Sequence, residues 1–536
     1  MALRLFLSAA LALLVMIGCP VTEPPGPSRA PLSVLAPMPA AVQVLPAPAT
    51  DARPEAQPPQ AKKPRRARQA RRRASKPEPP PAPVVEVPEG LPLHRDLVAG
   101  RILGALSKET VVRAEPRPSA RKLGFLRQGA LVRREPQAAG HEGCPGGWYR
   151  VAPEGYVCVG KTATLDASHP LLQLTSRRPD RAAPLPYLYG RARFPTPPLY
   201  TRLPTAQQQA LVELDLVAQQ RRTRHFAAWD DAPIAEVPEL LARGERVPRP
   251  FGYPVLERDF VSGSALPETG FAFLELYEHG GRRWGLTTDL SVVPLDRVEP
   301  VRASEFHGIQ LSKETPLPVV FVRSKGAYLY RGDPRSSGLV IERPLGHREA
   351  VPITGTKLRL TQGTYLETRS GHWILDQHLV RIDPMLSKPR WADRGQSWIE
   401  VSILQQSLVA YRGEEPVYAT LVSTGIGGLG DPKETQATIR GTFLIHTKHV
   451  TATMSNDEVG DEFDLRDVPY VQYFQDGYAF HAAYWHDAFG SPRSHGCINL
   501  SPADARWLFH FTGPAVPRAW HSALSLREGT LVYIHP

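Results

Sequence analysis

Hydrophobic residues follow several distinct patterns along this chain. A nearly unbroken apolar run, Leu5 to Gly18, follows Arg4. It is shorter than the ~20 residues of a typical spanning helix, and a basic residue, a short apolar stretch and a final small residue predict a secretory leader over 1–18. From Pro20 to Pro92 the apolar pattern disappears, and 20 of 73 residues are proline. Such a stretch buries too little surface to offset chain entropy, which predicts a disordered tether over 19–98. Short β-type runs then begin at Val111–Arg113, Gly124–Leu126, Ala130–Val132, Gly147–Val151 and Gly155–Val159, separated by Gly and Pro. They predict a small barrel over 99–165. Thr205–Gln220 reads as a helix with Ala210, Leu211, Leu214 and Val217 on one apolar face. Gly280–Val298 and Ser370–Val380 each place a Trp shortly after Gly and end on a β-type run. These predict a second barrel over 315–390 and suggest another at 245–300, inside a region of mixed pattern over 166–314. Core packing is favoured over ligand binding for these Trp residues.

The pattern becomes dense from Gln396. Strands are expected at Trp398–Leu404, Leu408–Arg412, Val417–Ser423, Gly441–Thr447, Tyr470–Tyr473 and Gly529–Ile534. Ser501-Pro502-Ala503-Asp504 supplies an N-cap, a proline at the first helical position and an early acid. Ala505, Leu508 and Phe509 continue it as an apolar stripe, and Gly513 is a natural stop. The fold class is therefore mainly β, with one short helix near the end.

Charge changes the reading of the tether. The formal charge is +11, and Lys62–Lys76 holds nine basic residues and no acid, leaving +2 elsewhere. A basic run can bind nucleic acid, but an exported chain does not meet the chromosome, so no nucleic-acid partner is expected. Two readings remain: contact with an anionic surface, phospholipid or wall polymer, or self-repulsion that keeps the tether extended. In polyproline geometry the tether reaches on the order of 200 Å.

The leader ends on Gly18 and Cys19, and this resembles the bacterial lipobox, although Met16 stands where Leu is usual. The resemblance implies a lipid anchor on Cys19, with an ordinary signal peptide as the alternative. Pro20 in place of Asp favours the outer membrane in a cell with two membranes. The text ending "GGWYRVAPEGYVCVG" resembles bacterial SH3-like (SH3b) modules. Cys144 and Cys158 flank its Trp148 hairpin and should pair in an oxidising compartment, where a loop of this size is worth roughly 3 kcal/mol.

With Cys19 lipidated and Cys144 paired to Cys158, Cys497 is the remaining thiol. It lies in Ser494-His495-Gly496-Cys497-Ile498-Asn499, with His481 upstream. A thiol becomes a strong nucleophile when a base or nearby positive charge takes its proton. Glycine lets the backbone approach a reacting carbon and offers an N–H to an oxyanion. The set fits acyl transfer through a thioester.

These residues resemble the signature of the L,D-transpeptidase catalytic domain (YkuD). The stretches 398–425, 441–454 and 470–509 support it, and the resemblance spans 396–536. It implies a β-sandwich-like fold, peptidoglycan stem peptides as substrate, no cofactor and no metal. Cys497 resembles the nucleophile, His481 the base, and His495 the second histidine that lines the oxyanion region or tunes the thiolate. The position that orients the base is Ala482, of which only the carbonyl could serve. Gly496, Ser494, Arg493 and Asn499 are expected to shape the site or contact substrate, and Tyr473 and Tyr478 to lie on a covering hairpin. The 12 residues between His481 and Ser494 are fewer than usual, which leaves His486 open as a second candidate base. Thr438-Ile439-Arg440-Gly441 replaces the family's Thr-Pro-x-Gly. Two rivals stand beside this reading: a zinc site built from His481, His486, His495 and Cys497, and a wall-binding lipoprotein with a silent domain. The acyl acceptor, whether stem amine, water or protein lysine, is left open.

Overall fold

A computed structural model describes residues 100–536 apart from 224–227, 254–259, 337, 393–394 and 457–461. The leader, Cys19 and the tether with Lys62–Lys76 lie outside the described residues. The fold is mainly β, as the sequence predicts.

Three small units precede the C-terminal domain. The first has strands β1 (Ile102–Ala105), β2 (Thr110–Arg113), β3 (Lys122–Leu126), β4 (Leu131–Arg133), β5 (Trp148–Arg150), β6 (Tyr156–Cys158) and β7 (Ala163–Thr164). The second has β8 (Leu188–Ala192), β9 (Pro198–Tyr200), β10 (Val261–Ser264), β11 (Gly270–His279), β12 (Arg282–Thr287), β13 (Val292–Pro294) and β14 (Val298–Pro300). After β15 (Ile309–Gln310), the third has β16 (Val319–Val322), β17 (Tyr328–Arg331), β18 (Val340–Pro344), β19 (Ala350–Leu360), β20 (Gly363–Thr368), β21 (Trp373–Leu375) and β22 (Leu379–Ile382).

All three units have one pairing scheme. The first strand of each pairs with the fourth and seventh, the second with the third and sixth, and the fifth with the sixth. The fourth and fifth pair as hairpins in units two and three, and through one bridge, Arg134 to Val151, in unit one. A 3-10 turn, Leu295–Arg297 or Asp376–His378, follows the sixth strand in units two and three, whereas the Trp residues differ in place, Trp284 on the fifth strand and Trp373 on the sixth. The second unit thus starts at Leu188 and occupies much of the region whose pattern was mixed. Trp148 and Trp284 are buried and Trp373 is half-buried. Cys144 and Cys158 form a disulfide.

The helix expected at Thr205–Gln220 is two helices, α1 (Ala206–Val212) and α2 (Leu216–Thr223), and it faces the other way. Ala210, Leu211, Leu214 and Val217 are exposed, while Glu213 is buried. The reason is electrostatic. Glu213 accepts hydrogen bonds from Arg282 (2.9 Å), Arg297 (2.8 Å) and Tyr200 (2.8 Å), and a carboxylate between two buried guanidiniums fixes which face turns inward.

The C-terminal domain packs two sheets. One has β23 (Ser397–Ser402), β24 (Ser407–Arg412), β25 (Glu415–Leu421), β26 (Gly441–Leu444) and β32 (Leu531–His535), in the order β15-β25-β24-β23-β32-β26. The other runs β31 (Ser522–Leu524), β27 (Thr447–Asn456), β28 (Phe463–Gln475), β29 (Tyr478–Ala482) and β30 (Ile498–Leu500), with helix α3 (Pro502–Phe511) after β30. Ile399, Val401, Phe480, Leu508 and Ile534 lie in the core between them.

Each small unit packs on this domain. In unit one, β3 pairs with β31 at Gly124–Ala523, where a Cβ on Gly124 would stand 2.2 Å from the Ser522 carbonyl oxygen. Unit three joins through Phe321, Val380 and Phe489. Units one and two meet at Asp467 of β28: its carboxylate takes Arg127 Nη2 at 2.9 Å and the Thr288 hydroxyl. Burial alone would raise this carboxyl, but the Arg127 charge and the hydrogen bonds hold it well below the ordinary carboxylate range. Asp467→Ala leaves Arg127 buried and unpaired, and is expected to lower unfolding free energy in urea by about 3–5 kcal/mol. The double change Asp467→Leu with Arg127→Met should lose less.

Candidate active site

Helix α3 anchors the end of the second sheet. Ser501 Oγ accepts the Asp504 N–H at 3.1 Å as an N-cap. The buried Asp504 carboxylate takes hydrogen bonds from Tyr418 (2.7 Å), Thr420 (2.6 Å) and the Gly308 N–H (2.9 Å). At the other end the buried Lys448 ammonium donates to the carbonyls of Phe509 (2.5 Å) and Thr512 (2.7 Å). Burial pushes Lys448 well below the ordinary lysine value. A helix held at both ends fixes the strand that enters it, β30.

Cys497 immediately precedes β30. Parallel pairing joins Phe480 to Ile498 and His481 to Asn499, so one step back Cys497 lies beside Ala479. Residues two apart share a strand face, which puts Cys497 and Asn499 on the same face as Ala479 and His481. The thiol is half-buried, lies 3.6 Å from the Gly477 carbonyl and takes a hydrogen bond from the Ala479 N–H. Burial pushes it up to about 11. His481 is buried, its ring stacked on Trp485 at 5.7 Å and its Nδ1 3.3 Å from the Ala482 carbonyl. Burial lowers it to about 4, so nucleophile and base both rest uncharged near neutrality.

The turn before Cys497 is closed by hydrogen bonds. Ser494 Oγ donates to the Cys497 carbonyl, and Thr438 Oγ1 donates to the Gly496 carbonyl at 2.8 Å while accepting the Gly425 N–H at 2.8 Å. Gly496 has φ +124°, and a Cβ there would stand 2.8 Å from Tyr478. The Gly496 N–H donates to Ser494 Oγ at 3.1 Å inside the turn. Thr438, the first residue of the Thr-Ile-Arg-Gly stretch, thus binds this turn to Gly425.

His486 is not placed as a base. Its Nδ1 accepts the Ala488 N–H at 3.2 Å and its Nε2 lies 2.9 Å from the Asn499 amide. Burial and the charge of Arg493 lower it to about 4. A neutral imidazole that accepts at Nδ1 carries its proton on Nε2, so the amide must turn its oxygen toward it. His486 thereby holds Asn499, the neighbour of His481 in the strand register. His495 is exposed, its ring 5.3 Å from that of Phe463. Arg493 is exposed as well, its N–H bonded to the Thr424 carbonyl at 2.8 Å. Tyr473 and Tyr478 are half-buried, and burial followed by the nearby thiol raises both phenols.

Sequence reasoning missed Arg348. From unit three it pairs with Asp487, its Nη1 2.7 Å from Oδ1, and Ser304 donates to the same carboxylate at 2.5 Å. The segment between His481 and Ser494 is therefore held from outside the domain, and no local motif announces that. Among the described residues no group of three or more His, Cys, Asp or Glu side chains is arranged to hold a metal ion.

No curated protein matches the chain. Solved structures similar to it include an L,D-transpeptidase from Stackebrandtia nassauensis, 24% identical over 26% of this chain and 55% of that one, with TM-score 0.19. An Enterococcus faecium L,D-transpeptidase is 22% identical over 26% of this chain and 49% of that one, with TM-score 0.20. One from Mycobacterium smegmatis is 17% identical over 44% and 93%, with TM-score 0.21. The chain thus spans about half the length of the first two. Residues 396–534 match the family model of the L,D-transpeptidase catalytic domain, YkuD.

Proposed function

We propose that this protein is an L,D-transpeptidase that acts on peptidoglycan stem peptides through a thioester on Cys497. The observation that carries the reading is the placement of Cys497 and His481 on one face of two adjacent strands, inside the matched domain. The thiol proton passes to His481 as sulfur attacks the carbonyl between a diaminopimelate-type residue and terminal D-Ala. The tetrahedral intermediate collapses, D-Ala leaves with that proton, and an amine or water then takes the acyl group and restores the thiol. Because burial keeps both groups neutral, His481 acts as a general base during attack rather than as half of a standing ion pair. The Cys497 N–H is the backbone donor assigned to the oxyanion, since Gly496 gives its own to Ser494. His495 lies exposed at the rim, its ring beside Phe463. Release of D-Ala from a disaccharide tetrapeptide tests the reading. Binding of that ligand with no release would favour a non-catalytic wall-binding protein.

The three small units are read as SH3-like modules on the strength of their common pairing scheme. The leader, Cys19 and the Pro-rich segment are read as an export signal, a lipid anchor and a tether reaching the wall, with the outer membrane as the favoured site. A fatty-acid analogue fed to cells should label wild type and not Cys19→Ala, and equal labelling of the two would remove the anchor.

A further inference from the structure

A cleft of about 230 Å³ opens between unit three and the catalytic domain. Unit three supplies Arg323 and Leu379, and the catalytic domain supplies Leu404, Gln406, Leu429 and Pro492. Its chemistry is one-sided. Arg323 is its single charged lining residue, no acidic side chain lines it, and the Arg323 guanidinium forms no hydrogen bond or ion pair among the described residues. Leu404 is 66% exposed and Leu429 44% exposed, leaving aliphatic surface uncovered at the rim. Isolated exposed leucines are ordinary, but two beside a cleft with an unpaired cation form a recognisable ligand surface. The volume is below the ~300–1,000 Å³ that encloses a drug-sized ligand, so the cleft admits a chain end and not a disaccharide.

The cleft wall is hydrogen-bonded to the segment that leads into Cys497. Gln406 Nε2 donates to Thr424 Oγ1 at 2.6 Å, and its Oε1 accepts the Thr424 N–H at 2.9 Å. The Thr424 carbonyl in turn accepts the N–H groups of Arg493 (2.8 Å) and Ser494 (3.1 Å). Pro492, which lines the cleft, is in the segment that leads directly into Cys497.

We propose that this cleft is a second peptide site, which takes the free carboxylate end of the acceptor stem peptide. Arg323 binds the carboxylate, and Leu404 and Leu429 pack against the small aliphatic side chains beside it. The acceptor amine is thereby presented to the thioester on Cys497. The inference rests on the transpeptidase reading and adds a specificity determinant contributed by unit three.

The test uses the full chain with a tetrapeptide donor and two acceptors, a stem peptide with a free C-terminal carboxylate and its C-terminal amide. For wild type the amide should show an acceptor KM about tenfold or more higher, the loss expected for a charged hydrogen bond. Arg323→Gln should raise the KM of the carboxylate acceptor by a similar factor and abolish the difference between the two acceptors. Leu404→Asp should weaken both. Neither change should slow the first burst of D-Ala release, which reports the donor half alone. A normal burst with an unchanged acceptor KM in Arg323→Gln would overturn the cleft proposal and leave the enzyme reading intact. Wild type that only hydrolyses its acyl-enzyme would also overturn it. Absence of any burst in wild type would instead remove the transpeptidase reading beneath it.

Discussion

Cys497→Ala is expected to abolish D-Ala release and acyl-enzyme formation together, and His481→Ala to lower kcat/KM by about 10³–10⁴. The first loss should be complete because, among the described residues, Cys497 is the free thiol and Cys144 and Cys158 are joined to each other. The second is large for a reason visible in the site. Burial holds the thiol up to about 11, so unassisted thiolate is scarce at neutral pH and attack depends on a base that takes the proton as the bond forms. A positioned general base contributes typically 10²–10⁴-fold, and this site falls at the upper end because the thiol has little intrinsic acidity to fall back on. His486→Gln keeps an amide beside Asn499 and should cost far less, roughly tenfold. Steady-state rates of the three variants check the order. An equal loss in His486→Gln and His481→Ala would mean that the base has been assigned to the wrong imidazole.

Mild acid should unfold this protein. Burial holds His449, His481, His486 and His510 at about 4 and His521 at about 3, against about 6.5 in an unfolded chain. Between those values the unfolded state binds more protons than the folded one, so stability rises with pH across this window and is lost as pH falls through it. Each such histidine removes up to ~1.4 kcal/mol per pH unit, and five acting together remove up to ~7. A domain has only ~5–15 kcal/mol in hand, so the fold should fail between about pH 4 and 5. Urea unfolding at pH 7 and pH 5.5 measures this directly, with a loss of several kcal/mol expected. Equal stability at the two values would mean that these imidazoles are hydrated or paired in the folded state. By the same argument, activity should show no titration near pH 6.5 while the fold holds.

The parts of this protein that could be read from its sequence are those whose signals are local. Ser501 and Pro502 mark the start of α3 because capping is settled within four residues. Cys497 stands out because its neighbours along the chain are also its neighbours in the site. The small units were visible only in fragments. Their strands are mostly three to six residues long, and the closing pair of unit two joins β8 to β14 from opposite ends of the unit. No window of sequence contains both partners. The pair α1 and α2 was read inside out because periodicity counts apolar positions and does not see Arg282 and Arg297 drawing Glu213 inward. Likewise Asp467 has its partners Arg127, Thr288 and Thr451 in three different parts of the chain, and the Gly496 N–H is satisfied by a side chain two residues away that sequence alone leaves free to face substrate.

Covalent acylation of Cys497 by a stem peptide is the step on which the proposed function depends. Full-length protein is mixed with disaccharide tetrapeptide, quenched in acid within the first turnover, digested and weighed by mass spectrometry. The peptide containing Cys497 should gain the mass of the disaccharide tripeptide acyl group, one D-Ala should be released per site, and His481→Ala should show neither on this timescale. An unmodified Cys497 peptide, with the thiol shown to be free and the substrate intact, would contradict it.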